Sequence, residues 1–430
     1  MPSIAFHTLG CKVNQYDTQA MLELFQRAGY QIVPFPGPAD IYLINTCTVT
    51  GTGDKKSLQL ARRLRREHPS CRLILCGCMA QSRPEALLKA GADLVLGTQR
   101  RMEVVSLLEQ TVASGKPLCA VAPLHDPPYE PLTVSAQEEH TRATLKIQEG
   151  CDCRCSYCII PDVRGPIRSR PLQDICLESE RLRDAGYREL VLTGIHLSSY
   201  GRDLPQRLSL LDVLEALQAI PGILRIRLGS LEPTVVTDAF AAALGKLDKV
   251  CPQFHLALQS GSDTVLARMR RRYNTSQYLA AAERLRSVFP QAALTTDVLT
   301  GFPGETEAEF EETRAFLRRI GYARIHVFPY SPRPDTPAAS MPGQLSSGEK
   351  ERRARLLIAD GQEMTDTWLR SWVGRESSVL VEESVNGCWE GYTPEYIRVR
   401  LQPDTTAAGG SILRVRLRDA EAGRMTGELL

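Results

Sequence analysis

No run of about 18 consecutive apolar residues occurs in the chain, which excludes a membrane-spanning helix of ordinary length. The opening residues, MPSIAFHTLGCKVNQYD, lack the basic, apolar and small-residue succession of a secretory signal, so a cytoplasmic location and no membrane partner are expected. Charge of neither sign dominates: 52 Lys and Arg stand against 50 Asp and Glu, and the distribution says more than the sum. A phosphate loop is missing too. TGTGDKKS, residues 50–57, departs from the G-x-x-x-x-G-K-S/T order and reads as a glycine turn entering a helix.

Cysteine, by contrast, is plentiful. Thirteen in a chain expected in a reducing compartment argue against a disulfide framework, as the odd count does, and put metal or redox chemistry first. With 43% hydrophobic and 24% charged residues, the 430-residue chain suits two or three globular domains. Charge is locally uneven. Seven Lys or Arg and one Glu lie from Lys55 to Arg72, and Arg268, Arg270, Arg271 and Arg272 crowd a second place. Such runs suit a polyanion or a solvated helix face.

Hydrophobic periodicity orders the chain. SIAFHTLG, DIYLINTCTV, CRLILCGCM and ADLVLG read as strands, and DTQAMLELFQRAG and KKSLQLARRLRREHP carry the 3.6-residue helical period between them. The alternation implies a doubly wound parallel sheet. Proline-rich residues 119–140 read as a linker. Six further strands follow, separated by helices: ATLKIQ, ELVLTG, LRIRLGS, QFHLALQS, AALTTDVLTG and ARIHVFPY. They suit a partial (β/α)6 barrel with its chemistry at the C-terminal strand ends. A helix from about 346 to 372 precedes short strands SSVLVEE, YIRVRLQ and SILRVRLRD, a small antiparallel β barrel or sandwich. In it Arg398 and Arg400, and Arg414, Arg416 and Arg418, recur at period two and share a face within each strand.

The densest cysteine cluster is EGCDCRCSYCIIP, residues 149–161. Cys151, Cys155 and Cys158 make C-x3-C-x2-C, a spacing suited to three corners of a cubane iron–sulfur cluster with the fourth iron open to a substrate. Cys153 is surplus, and a zinc site recruiting all four is the alternative. Cys11, Cys47 and Cys78 each close a strand of the first sheet, so all three fall at one carboxyl edge, where open α/β folds bind ligands. Cys76 shares Cys78's side by period two and competes with it. Cys71, Cys119, Cys176, Cys251 and Cys388 read as apolar fillers. His7, His196, His255 and His326 lie in strands or at their ends and are expected to be core residues, not ligands.

GCDCRCSYCIIP resembles the radical S-adenosylmethionine (SAM) enzymes, and the wider pattern resembles their methylthiotransferases: LTGIHLSSYG, HLALQSGSDTVLARMRRRYN, TDVLTGFPGETEAEF and HVFPYSPRPDTPAA. The family motifs TLGCKVNQ, INTCTVT and GCMAQ select Cys11, Cys47 and Cys78. The resemblance implies an N-terminal methylthiotransferase domain (1–118), a radical SAM domain (141–372) and an RNA-binding domain similar to TRAM (373–430). It implies two 4Fe–4S clusters, on Cys11, Cys47 and Cys78 and on Cys151, Cys155 and Cys158. It also implies SAM held near Gly194 and Gly301, with Glu232, Gln259 and Asp297 as polar contacts at cofactor or substrate. For the two glycines, a simple chain turn is the equal alternative.

In such enzymes a reduced cluster cleaves SAM to a 5′-deoxyadenosyl radical, and a second cluster presents the sulfur. Lys12 and Val13 after the first ligand resemble the threonylcarbamoyladenosine branch, which acts at position 37 of tRNA, more than the GCQMN form of the isopentenyl branch. The implied partners are a tRNA anticodon stem-loop, met by the helix around Arg62 to Arg66, and an electron donor such as flavodoxin or ferredoxin. The chain is expected to act as a monomer. Open alternatives are isopentenyladenosine, an aspartate of a ribosomal protein, or a non-catalytic, zinc-dependent RNA-binding protein.

Overall fold

The computed structural model describes residues 1–136, 141–403, 405–421 and 423–430. Its first unit is an all-parallel sheet of β1 (Ser3–Thr8), β2 (Gln31–Ile32), β3 (Ile41–Thr46), β4 (Arg72–Gly77), β5 (Leu94–Leu96) and β6 (Leu118–Ala120), in the order β2-β1-β3-β4-β5-β6. All six residues of β3 are buried, as a central strand covered on both faces requires. The order reverses between β1 and β3, which makes their carboxyl ends the switch point of the sheet. Helix α1 (Lys12–Arg27) leaves β1 there, α2 (Gly51–Glu67) follows β3, and the short α3 (Cys78–Ser82) follows β4. Thr50 caps α2 by accepting from the Gly53 N–H.

Two short strands, β2 and β6, escaped the periodicity. The expected linker begins inside β6 and then straps the first unit to the second. Leu132 and Val134 bury against Tyr16 and Ala20, the Tyr129 hydroxyl donates to the Lys146 carbonyl, and Glu130 accepts from Arg101. Its last residues, 137–140, lie outside the described residues. An extended strap has no period of its own, because tertiary partners hold it.

The second unit carries the six expected parallel strands as β7 (Arg142–Glu149), β9 (Glu189–Gly194), β10 (Arg225–Leu228), β12 (Gln253–Leu256), β13 (Ala293–Thr300) and β14 (Arg324–Pro329), with short β8 (Arg168–Ser169) and β11 (Ser230–Leu231). They form two four-stranded sheets, β10-β9-β7-β8 and β11-β12-β13-β14, which curve into a partial barrel. Period two divides β7: Ala143, Leu145 and Ile147 join the outer apolar core, and Arg142, Thr144, Lys146 and Gln148 take the other face.

After the helix Ser347–Arg370 the chain forms a closed five-stranded barrel of β15 (Glu376–Val385), β16 (Cys388–Tyr392), β17 (Arg398–Leu401), β19 (Arg424–Leu429) and β18 (Ile412–Glu421). Its pairs are antiparallel except β17 with β19. Arg225 donates to the carbonyls of Tyr392 and Ser378, and Arg227 to those of Thr393 and Pro394, so one end of this module stops the N-terminal mouth of the partial barrel.

Candidate functional site

The first thiol trio is made by strand ends. Gly10 takes φ +110°, and a side chain there would meet Cys47 Cβ at 3.0 Å and its Sγ at 3.2 Å, so the close approach of the first two strand ends requires glycine. Gly77, at φ +94°, breaks the alternation of β4, so Cys78 opens α3 instead of continuing the strand. This separates the two competing cysteines. Cys76 is fully buried in the apolar core with Sγ 3.7 Å from the Ile44 carbonyl, and Cys78 turns toward Cys11 and Cys47. Burial pushes the Cys78 thiol up to about 11 against the pull of Arg164, and Cys11 and Cys47 add repulsion. Burial also raises Cys47.

The second trio sits on the loop after β7. The Cys151 N–H donates to the Gly165 carbonyl at 3.0 Å and the Cys158 N–H to the Cys155 carbonyl at 3.1 Å, which folds the loop compactly. Arg271 donates to Cys155 Sγ at 3.1 Å, to Glu232 Oε1 at 2.5 Å and to the Tyr273 hydroxyl at 3.0 Å. Burial would raise the Glu232 carboxyl, but hydrogen bonding by His196 and the Arg271 charge outweigh it and hold it low. Burial drives the Cys158 thiol up to about 12. Hydrogen bonding with Cys153 lowers Cys151.

His196 was expected to be a core residue. Its Nε2 lies 3.6 Å from both Cys153 Sγ and Glu232 Oε1, and its backbone N–H donates to Gln148 Oε1 at 2.7 Å. Among the described residues, Cys151, Cys153 and His196 are the one set of three Cys, His or acidic ligands gathered within 4.8 Å. Neither predicted trio is that tight. Tetrahedral zinc, with Zn–S near 2.3 Å, needs thiolates about 3.8 Å apart, whereas the corners of a cubane cluster stand wider. The all-thiol donor sets, each with a guanidinium hydrogen-bonded to one sulfur, fit iron–sulfur clusters.

Arg164 joins the two halves. It is fully buried and donates Nε to Cys78 Sγ at 3.2 Å, Nη1 to Asp17 and Glu149 at 3.1 Å each, and Nη2 to Asn14. Lys146 reaches the same acids at 2.7 and 2.5 Å, and Arg101 pairs with Asp17 and, at 2.7 Å, Glu130. The cations outweigh burial and hold Asp17 and Glu149 ionised. Cys78 packs against Ile159 and Val163, and Ile159 is the neighbour of Cys158. The trios therefore occupy adjoining walls.

The other expected site residues divide. Gly194 ends β9, where a side chain would come within 3.0 Å of Gln148. Gln259 adopts φ +69°, and its backbone N–H and carbonyl bond Asp297 and Leu299, leaving its half-buried side chain outside the strand pairing. Asp297 lies within β13 with its side chain 36% exposed and Oδ2 3.4 Å from His255 Nε2. It is neither fully buried nor at a strand end. Gly301 donates its N–H to Glu305 at 2.7 Å, and Arg353 holds that carboxylate at 2.8 Å, so this donor serves the turn.

Of the basic runs, Lys55, Lys56, Arg62 and Arg66 of α2 are exposed. Arg65 instead bonds Asp93 at 2.6 Å and the carbonyls of Gly91 and Cys71. Arg398, Arg414, Arg416 and Arg418 of the last barrel pair with Glu390 and Glu383, Glu376, Glu376 and Glu428, which neutralises much of the basic face. Arg268 pairs with Glu309, and Arg271 belongs to the site, where sequence alone offered only a charge run. Of the filler cysteines, Cys71, Cys251 and Cys388 are buried, Cys176 is half-buried and Cys119 is exposed.

Residues 3–97 match the family described as Uncharacterized protein family UPF0004, and residues 145–317 the Radical SAM superfamily. The chain is 40% identical to the threonylcarbamoyladenosine tRNA methylthiotransferase MtaB of Bacillus subtilis, over 97% of this chain and 94% of that one. It is 36% identical to the protein of that name from Thermotoga maritima, over 93% and 91%. Among solved structures, the radical SAM methyltransferase TsrM of Kitasatospora setae, with cobalamin and a 4Fe–4S cluster bound, aligns at TM-score 0.57 and 14% identity over 79% of this chain and 77% of that one. OxsB, a cobalamin-dependent SAM radical enzyme, aligns at 0.53 and 13% over 85% and 56%. These two likenesses show the fold.

Proposed function

The chain belongs to the threonylcarbamoyladenosine tRNA methylthiotransferase family, and from that premise we propose that it adds a methylthio group to C2 of N6-threonylcarbamoyladenosine at position 37 of tRNA. It is a radical SAM enzyme, and its cofactors are SAM and 4Fe–4S clusters. In this reading Cys151, Cys155 and Cys158 hold the SAM-binding cluster and Cys11, Cys47 and Cys78 the second. When bound, these groups supply a radical able to abstract hydrogen from an unreactive carbon and a sulfur donor.

The protein's own residues orient and insulate. Arg271 fixes Cys155 against Glu232, Arg164 fixes Cys78 against the Asp17 and Glu149 carboxylates, and Gln148 holds the turn that carries His196. Gly194, Glu232, Gln259 and Asp297 face SAM or substrate in this proposal, and Gly301 shapes the turn. The observation that carries the reading is the adjoining placement of two thiol trios in a chain matched to these enzymes along nearly its whole length. Residues 1–118, 141–372 and 373–430 serve as the sulfur-donor, radical and RNA-contacting units, joined through the segment 119–140. The enzyme works in the cytoplasm as a monomer, with a flavodoxin or ferredoxin as reductant. Among the described residues, no helix is long and apolar enough to cross a membrane.

Mass spectrometry of tRNA nucleosides from cells with and without the protein tests this. The expected result is loss of the 2-methylthio form and accumulation of plain threonylcarbamoyladenosine in its absence. An unchanged nucleoside profile refutes it.

A further inference from the structure

A cavity of about 380 Å³ opens where the three units meet, lined by Lys12 and Gln15 of α1, Arg142 and Thr144 of β7, and Glu382 and Tyr396 of the last barrel. It begins one residue from Cys11. Its wall carries two cations, Lys12 and Arg142, and two acids, Glu382 and Glu383, but the acids are already engaged. Arg142 pairs with Glu382 at 2.5 Å and lies 5.1 Å from the Tyr396 ring centroid. Glu383, also on the wall, pairs with Arg398 at 3.3 Å, and nearby Glu189 is held by Arg227 at 2.8 Å. Lys12 has no ion-pair or hydrogen-bond partner among the described residues, and it is exposed. Among the described residues Lys12 is thus the one charge of this wall without a direct ion pair, Tyr396 and Glu189 acting on it only at longer range.

Local structure gives no reason for a cation there. Lys12 is the first residue of α1, whose first turn holds no acid. A lysine at the positive end of a helix opposes the macrodipole, where an acid would be favoured. Residues that break a local rule without a structural return mark functional sites. The same helix end, with its unsatisfied N–H groups, adds to the attraction for an anion.

We infer that Lys12, supported by Arg142 and Gln15, receives the free carboxylate of the threonylcarbamoyl group and so sets the enzyme's choice among N6-substituted adenosines. This rests on the function proposed above. A threonylcarbamoyl substituent ends in one carboxylate, which matches the single ammonium without a direct ion pair, and a purely hydrocarbon substituent would leave it so. An RNA phosphate is the other source of an anion in reach.

The test uses the cluster-loaded enzyme and two synthetic anticodon stem-loops, one with threonylcarbamoyladenosine and one with its carboxylate converted to the carboxamide. Wild type is expected to lose about 10- to 100-fold in kcat/KM on the amide, mostly through KM, as removal of a charge-assisted hydrogen bond predicts. Lys12→Gln is expected to show that loss on the acid RNA with little further loss on the amide, and Lys12→Arg to recover most of it. Equal turnover of acid and amide by wild type overturns the inference, whatever the variant does. So does a Lys12→Gln penalty equal on both RNAs, which would assign the lysine to phosphate. If wild type turns over neither RNA, the proposed function falls and takes this inference with it.

Discussion

Arg164 donates its Nε–H to the sulfur of Cys78 at 3.2 Å across 86 residues of sequence, and this bond ties the first sheet to the loop of the second cysteine trio. The same guanidinium serves Asp17, Glu149 and Asn14 with no exposure to water. Removing it leaves buried acids short of a counter-charge. Arg164→Met is therefore expected to destabilise the cluster-free chain by about 3–5 kcal/mol in urea unfolding. A loss under 1 kcal/mol, on the order of a surface pair, would refute the network's role.

Iron content separates the ligands from their neighbours. The loaded protein should carry about eight irons, two four-iron clusters. Cys78→Ala or Cys155→Ala should each reduce this to about four, and Cys76→Ala and Cys153→Ser should leave it unchanged. Retention of about eight irons by Cys78→Ala would give its place to another residue.

The Arg268 and Glu309 pair makes a pH-dependent contribution. Hydrogen bonds from Arg268 and Thr264 lower the Glu309 carboxyl to about 2, against desolvation that would raise it. A depressed folded-state value stabilises the protein above the unfolded value of 4.5 and loses that contribution as pH falls toward about 2. The stability gap between wild type and Glu309→Gln, below about 1 kcal/mol for so accessible a pair, should be constant above pH 5 and shrink in acid. A gap that widens on acidification would contradict the assignment.

Exposed and internal arginines of α2 should part company in RNA binding. Neutralising Arg62 and Arg66 together is expected to weaken stem-loop binding at every sequence and flatten the plot of log K against log salt by about one to two units. Arg65→Gln should instead lower stability, because its donors hold Asp93 and the backbone carbonyls of Gly91, Pro69 and Cys71. An unchanged salt slope in the double variant would move the RNA to another face.

Much of this was legible in the chain. Continuous apolar runs such as IYLIN mark strands covered on both faces, and a cysteine at the end of each of three such runs fixes one sheet edge. Cys76 against Cys78 could not be decided by period, since Gly77 reverses the chain between them. Arg164 and Arg271 stayed hidden for another reason. Their partners lie up to 150 residues away, and a buried arginine looks in sequence like an exposed one. The strap at Leu132 and Val134 likewise exists only through Tyr16 and Ala20.

Arg333, on the loop after β14, donates to Thr48 and Asp54, and Ser331 accepts from the Gly51 N–H. Thr48 adjoins Cys47, and Lys55 and Lys56 follow Asp54 directly. Cys47 and the two exposed lysines are thus carried by one short segment that the loop after β14 clamps from the second unit, so loosening that clamp should disturb the thiol and the basic face together.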